Sequence, residues 1–308
     1  MGTAELACPS LVALHEWSGA IVVGVVTQPD RPRGRKLNPQ PSFVKQCALE
    51  RDLPVRQLKT LRSAESVRSL IALVPDLIVV VAFGQILPST VLEMPPYGCL
   101  NVHASLLPRH RGAAPIQWAI LEGDTETGVT IMKMDEGLDT GAIISMEKTV
   151  IEKDDTSQLL HDRLAQLGAK LLIQSLPGYL SGEIKAKPQS QEGVTYARKI
   201  TKDDGCVDWG LPAEFLQRKV QALIPWPGAF TSMPFEEKPL LKIWESSVDE
   251  GNGVPGTIME ASDESLLVAC GEGMLALSVV QREGARKMPF RDFLRGCSLK
   301  AGMVLGKC

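Results

Sequence analysis

The sequence has no CxxC pair. Its seven cysteines, at positions 8, 47, 99, 206, 270, 297 and 308, are scattered and odd in number. That pattern argues against a disulfide framework or a zinc site and fits reduced thiols in a cytoplasmic compartment. Long apolar runs are also missing. The longest, residues 77–83 (LIVVVAF), falls far short of the ~20 residues a membrane-spanning helix needs. The first residues, MGTAELACPSLVAL, lack the basic region and apolar core of a secretory signal, and Leu6 stands where a myristoylation motif wants Ser or Thr. Charge of one sign is missing too: 33 Lys and Arg against 36 Asp and Glu give a net charge of −3. There is therefore no global attraction to nucleic acid, and any such binding must use a local patch. Internal repeats and low-complexity tracts are absent.

What remains is an ordinary globular composition, 44% hydrophobic and 22% charged over 308 residues, enough for one large domain or two ordinary ones. A helix is predicted over about residues 6–16, then a buried β-branched strand over 21–26. The segment 27–41, TQPDRPRGRKLNPQP, is dense in proline and carries Arg31, Arg33, Arg35 and Lys36. Proline at this density opposes helix and sheet, so an exposed loop is predicted. Composition alone fits a merely solvated loop equally well. Helices follow near 42–51 and 64–73. The run 77–83 is apolar on both faces, as in a strand covered on both sides of a parallel sheet. A strand through Asn101 and His103, a helix near 116–122, and a strand at 129–134 complete an alternation that predicts a doubly wound, mostly parallel α/β sheet. A long amphipathic helix runs from 155 or 156 to about 175, and the sequence then turns polar and irregular. The predicted organisation is an α/β domain over 1–182, a linker over 183–204 and a C-terminal domain over 205–308. In that last part FTSM, LLKIWE, GTIME, SLLVAC and MLALSVV read as five short strands of a small β-barrel.

The chain is organised around residues 99–115, CLNVHASLLPRHRGAAP. Side chains two apart on a strand share a face, so Asn101 and His103 project together, just before the chain breaks into a loop. Open α/β sheets bind ligands where strands end and loops begin. The strand at 129–134 ends in the acidic, glycine-punctuated DEGLDTG, which contains Asp139. An amide and an imidazolium can donate to an oxyanion, and a carboxylate can support the imidazole or accept a proton from an attacking amine. The set suits acyl transfer to an amine without a covalent enzyme intermediate. Spacing alone does not decide it, because an Asn-x-His on a strand is more often ordinary hydrogen bonding.

The segments TQPDRPRGRK, VVVAFGQILP, NVHASLLPRHRGAAPIQWAI, GVTIMKMDEGLDTG, VTYARKI and IPWPGAFT, in this order along most of the chain, closely resemble the methionyl-tRNA formyltransferase family. The resemblance implies transfer of a formyl group from 10-formyltetrahydrofolate to the α-amine of methionine on the initiator tRNA, by a cytoplasmic monomer that needs no metal and no membrane. On its motifs, Asn101 and His103 stabilise the oxyanion, while Asp139 supports His103 and helps remove the amine proton. Ser105, Leu106, Leu107 and Pro108 match the folate-contacting loop, and Phe83, Gly84, Gln85, Ile86 and Leu87 line the pterin side of the cleft. Arg31, Arg33, Arg35 and Lys36 approach the phosphates of the tRNA acceptor end, which supply affinity and orientation more than sequence reading. The C-terminal barrel resembles an OB-like support for the tRNA. His110 is expected at the surface or supporting the site from behind, and Trp118, Trp209 and Trp226 as packing residues.

The start departs from the resemblance. Residues 1–3 match the end of the family's first strand, so that central strand is expected to be missing, leaving backbone groups unpaired at about 1–3 kcal/mol each. A start recorded about seven or eight residues inside the true reading frame would explain this. The rival readings are a folate-dependent formyltransferase acting on a small amine, and a non-catalytic folate- or RNA-binding protein if the shortened start disrupts the sheet.

Overall fold

The structure is a computed structural model and describes residues 1–33 and 38–306. The chain divides into two compact units: Met1–Pro115 with Glu126–Val150 and His161–Arg198, and Ile116–Thr125 with Ile151–Leu160 and Lys199–Cys308.

The first unit contains strands β1 (Val25–Thr27), β2 (Arg31–Arg33), β3 (Asn38–Gln40), β4 (Val55–Gln57), β5 (Ile78–Val80), β6 (Cys99–His103), β7 (Arg111–Gly112), β8 (Glu126–Lys133), β9 (Ala142–Val150) and β10 (Tyr196–Ala197). Its first four helices are α1 (Cys8–Glu16), α2 (Phe43–Leu49), α3 (Ala64–Ile71) and α4 (Ser89–Leu92). Both α2 and α3 start where a serine hydroxyl accepts a backbone N–H two or three residues into the turn: Ser42 from Lys45 at 3.0 Å and Ser63 from Ser66 at 3.2 Å. The chain continues through α5 (Pro115–Leu121), which opens on proline, and α6 (Ser157–Leu180).

The main sheet runs β5-β6-β8-β9. Only its β5–β6 pair is parallel; β6–β8 and β8–β9 are antiparallel. The β9 strand, absent from the sequence reading, has exposed alternate residues, so it carries no continuous apolar run. A separate parallel ladder joins β1 to β4. Val26, Leu70, Ile78, Val80, Phe83 and Val91 belong to one buried cluster.

Residues 1–3 lie between β1 and β5: Gly2 N–H donates to Val26 O at 3.0 Å, Val81 N–H to Met1 O at 2.9 Å, and Thr3 N–H to Ala82 O at 3.2 Å. The rest of the interval holds a cavity of about 330 Å³ lined by Ile21, Val23, Val25, Leu73, Ile78 and Leu176, among others. The strand expected over 21–26 is correspondingly reduced to Val25–Thr27, with Ile21 at 87% exposure, because residues 21–24 have no ladder partner.

One further correction concerns 27–41. The segment is not a plain loop: β2 and β3 form an antiparallel hairpin with Pro32 opposite Pro39. Neither proline has an N–H, so they fit a non-hydrogen-bonded pair, where none is needed. Gly34, Arg35, Lys36 and Leu37 lie outside the described residues.

The second unit is antiparallel. After α7 (Ala213–Ala222) come β11 (Ala229–Ser232), β12 (Leu240–Asp249), β13 (Ile258–Ala261), β14 (Leu266–Ala269), β15 (Met274–Arg282), β16 (Met288–Pro289) and α8 (Phe290–Arg295). The strand order is β11-β12-β15-β14-β13, with β16 on β15. Inward residues alternate along the strands, and Leu241, Ile243, Leu275, Leu277 and Trp209 fill one core. Gly306 bridges Ser232 at one edge, and Val304 bridges Thr257 beside the other, which closes the sheet as a small barrel. Trp209 packs as expected and donates its indole N–H to Thr231 Oγ1 at 3.1 Å. Trp226 does not: it is 58% exposed, in the turn between α7 and β11. Among the described residues no helix is long and apolar enough to cross a membrane.

Candidate active site

Strand β6 runs between β5 and β8, with Asn101 opposite Val80 on one side and Met132 on the other, and His103 opposite Thr130. Leu100 and Val102 are buried, and the strand alternation puts Asn101 and His103 together on its other face. This fixes the two functional side chains on a rigid element rather than on a loop.

The third side chain arrives from the turn between β8 and β9. Asp139 has φ 53°, a left-handed conformation that Asp tolerates better than most residues. The turn is built by Asp135, whose carboxylate accepts Gly137 N–H at 3.0 Å and Thr140 hydroxyl at 2.6 Å. It is closed by Gly141, where a Cβ would stand 1.9 Å from Lys133 O. The result places the Asp139 carboxylate at the centre of the group. Its Oδ1 accepts from Asn101 Nδ2 at 3.3 Å, and its Oδ2 accepts from Gly112 N–H at 2.8 Å. His103 Nδ1 lies 3.8 Å from Oδ2, an ion-pair separation beyond hydrogen-bonding distance.

The other ring nitrogen settles how His103 is held. Nε2 is 3.0 Å from His110 O, and a carbonyl can only accept, so Nε2 carries a proton. Nδ1 is thus the nitrogen free to gain or lose one beside Asp139. His110 itself is 3% exposed, so its backbone supports the ring from inside rather than from the surface. Its φ of 58° aims that carbonyl at His103, and its N–H donates to Thr195 Oγ1 at 2.8 Å.

The loop after β6 is tied down by Thr130, which sequence reasoning missed. The Thr130 hydroxyl donates to Ser105 O at 2.7 Å and accepts Leu107 N–H at 3.1 Å. Ser105, fully buried, donates to Arg109 O at 2.7 Å. Leu107 is buried, while Leu106 and Pro108 are partly exposed. In the 83–87 stretch, Phe83 and Leu87 point into the core, Ile86 is 73% exposed, and Gln85 donates to Leu58 O at 3.0 Å. Any part Phe83 plays in a cleft is therefore through its backbone; its carbonyl already accepts from Gln28 Nε2 at 2.7 Å and Thr3 Oγ1 at 2.9 Å.

Among the described residues, the basic hairpin is anchored at its base. Asp30 bonds Lys45 at 2.8 Å and Gln57 at 2.6 Å, and the Lys45 hydrogen bond, followed by that from Gln57, holds the Asp30 carboxyl below its ordinary value. Arg31 is exposed and bonds Gln28. Arg33 lies on β2, and Arg35 and Lys36 are outside the described residues. The structure thus brings Asn101, His103 and Asp139 together.

Residues 2–176 match the family model described as Formyl transferase, and residues 199–298 that described as Formyl transferase, C-terminal domain. The chain is 46% identical over 307 residues to the methionyl-tRNA formyltransferase of Citrifermentans bemidjiense, covering 100% of this chain and 95% of that protein. It is 49% identical over 302 residues to that of Myxococcus xanthus, covering 98% and 95%. Among solved structures, the N-formyltransferase of Helicobacter canadensis in complex with folinic acid and dTDP-3-aminofucose matches with TM-score 0.64 at 17% identity, over 93% of this chain and 97% of that one. HypX of Aquifex aeolicus in complex with tetrahydrofolic acid matches with TM-score 0.59 at 20% identity, over 80% and 43%. These two likenesses are of fold. The near-complete match to sequences almost half identical goes further: this chain belongs to the methionyl-tRNA formyltransferase family.

Proposed function

We propose that this protein transfers a formyl group from 10-formyltetrahydrofolate to the α-amine of methionine carried by the initiator tRNA. The observation that supports it best is the convergence of Asn101, His103 and Gly112 N–H on one carboxylate, in a chain that matches methionyl-tRNA formyltransferases across both units. The donor set suits a carbonyl under attack by an amine. The folate supplies a formyl group on nitrogen, activated for acyl transfer.

In this reading the amine attacks the formyl carbon and the carbonyl electron pair moves to oxygen. Asn101 has a second amide N–H besides the one given to Asp139, and it serves that oxygen. His103, locked by His110 O, presents Nδ1 as a second donor when protonated. Asp139 supports His103 and accepts the amine proton, directly or through water. Collapse restores the carbonyl and expels the folate nitrogen, which takes up a proton. The loop pinned by Thr130 and the 83–87 stretch flank the folate; Arg31, Arg33, Arg35 and Lys36 meet tRNA phosphates. The work is done by a monomer in the cytoplasm.

The test is transfer of labelled formyl from 10-formyltetrahydrofolate to charged initiator tRNA by the full chain. Asp139→Asn is expected to lower transfer by about 10²–10⁴-fold. No transfer by a folded wild-type chain, with formylation of a small amine such as a dTDP-amino sugar, would overturn the tRNA assignment.

A further inference from the structure

Asp139 is the hub of the site, yet its own backbone is in a left-handed turn with no ladder to hold it. What holds it is Gln189, a residue in the stretch that reads from sequence as linker. Gln189 is 8% exposed. Its Nε2 donates to Asp139 O at 2.8 Å and to Gly141 O at 2.8 Å, the two carbonyls flanking Thr140. Its Oε1 accepts from Arg111 Nε at 3.1 Å and Nη2 at 2.7 Å. The amide orientation is unambiguous, because the reverse would set N–H against guanidinium and oxygen against two carbonyls.

Arg111 is equally buried, at 5% exposure, and the residue after it, Gly112, gives its N–H to the Asp139 carboxylate. A closed ring results: Arg111 guanidinium to Gln189 amide, Gln189 amide to Asp139 main chain, Asp139 carboxylate to Gly112 main chain. The strand pair β7–β10 rigidifies it, with Arg111 N–H on Thr195 O at 2.9 Å and Gly112 packed so closely that a Cβ would stand 2.5 Å from Ala197 O. Arg111 also adjoins His110, whose carbonyl holds His103. Through this ring one amide fixes the carboxylate relative to the imidazole. We infer that Gln189 is a positioning residue for formyl transfer, setting the Asp139 carboxylate against His103 and Asn101. The inference rests on the proposed role of Asp139 in that reaction.

Only glutamine satisfies both halves. Glutamate keeps the Arg111 contact but cannot donate to the two carbonyls; alanine loses everything. Misplacement of a reacting group by about 1 Å costs on the order of a hundredfold in rate. Gln189→Ala and Gln189→Glu in the full chain are therefore expected to lower kcat for formyl transfer by roughly tenfold to a hundredfold, with KM for both substrates nearly unchanged. Combined with Asp139→Asn, Gln189→Ala should add no further loss, since it acts through that carboxylate. A merely structural role would add its own loss in the double variant, and that additivity would overturn the inference, as would a Gln189→Glu enzyme as fast as wild type. A second readout is independent of activity: hydrogen exchange of the Gly112 amide, expected to quicken at least tenfold in Gln189→Glu because its acceptor moves. Unchanged Gly112 exchange in a folded variant would overturn the positioning role even in a chain whose wild type fails to formylate tRNA, an outcome that separately overturns the proposed function.

Discussion

The Asn101–His103–Asp139 group and the basic hairpin of β2 and β3 are held in opposite ways. The first is buried or half-buried, and every member is fixed by a bond to another segment of the chain, from seven residues away for His103 to 38 for Asn101. The second is exposed, and among the described residues Asp30 and Arg31 bond Lys45, Gln57 and Gln28 at its base. The contrast follows from what each is proposed to do. Stabilising one developing oxygen charge needs donors fixed to a fraction of an ångström, in a site where water does not compete. Meeting a polyanion needs charge in the right region, because phosphate attraction is long-ranged and tolerant of position.

The largest test of that contrast is loss of the site's hub. Asp139→Asn is expected to lower kcat by about 10²–10⁴-fold, from lost proton transfer, while tRNA affinity holds. Asn101→Ala should follow at about 2.7–4 kcal/mol in barrier, read as kcat under saturating substrates. Equal loss of tRNA binding in either variant would break the comparison. Thr130→Val removes one hydroxyl that donates to Ser105 O and accepts from Leu107 N–H; both partners are buried, so a stability loss of about 1–3 kcal/mol is expected in denaturant unfolding. No change would mean the loop is held elsewhere.

The hairpin should answer differently. Arg31→Ala is expected to weaken tRNA binding modestly, leave kcat intact, and reduce the slope of log affinity against log salt by about one. A fall in kcat instead would show that the hairpin orders the site. Smallest is Asp30. Its carboxyl is held below the ordinary value by Lys45 and Gln57, so the ionised form is favoured in the fold. Its contribution is therefore complete above the unfolded pKa near 4 and fades as pH falls through the lowered folded value. Because Asp30 is solvent-accessible, Asp30→Asn should scarcely move the melting temperature at neutral pH, and any difference from wild type should vanish in acid. A large effect at pH 7 would mean the base of the hairpin is a structural keystone.

The two regions also differ in how far the sequence disclosed them. Asn101 and His103 were legible because strand periodicity puts residues two apart on one face, and Asp139 because glycine and acid residues punctuate a turn. The hairpin's charge was legible and its strands were not, since proline suppresses the pattern by which strands are recognised while still tolerating a non-hydrogen-bonded pair. Gln189 and Thr130 carried no signal at all. Thr130 bonds Ser105 and Leu107, and Gln189 bonds Asp139 and Gly141, through main-chain groups far away in the chain, and a backbone carbonyl or N–H has no letter in the sequence. The carbonyl of His110 and the N–H of Gly112 were hidden for the same reason.

The sequence by itself determined which segments bury apolar faces, where the chain turns, and which chemistry-bearing side chains exist: local periodicity and turn stereochemistry suffice for these. It also determined the family, through motifs running along most of the chain. Tertiary structure alone decided that one carboxylate gathers Asn101, His103 and Gly112 N–H, that His103 presents Nδ1 rather than Nε2, and that a glutamine from a polar, irregular stretch clamps the turn holding Asp139. Those are distances between segments that meet only in the folded chain, most of them tens of residues apart, and such distances are set by how the layers pack.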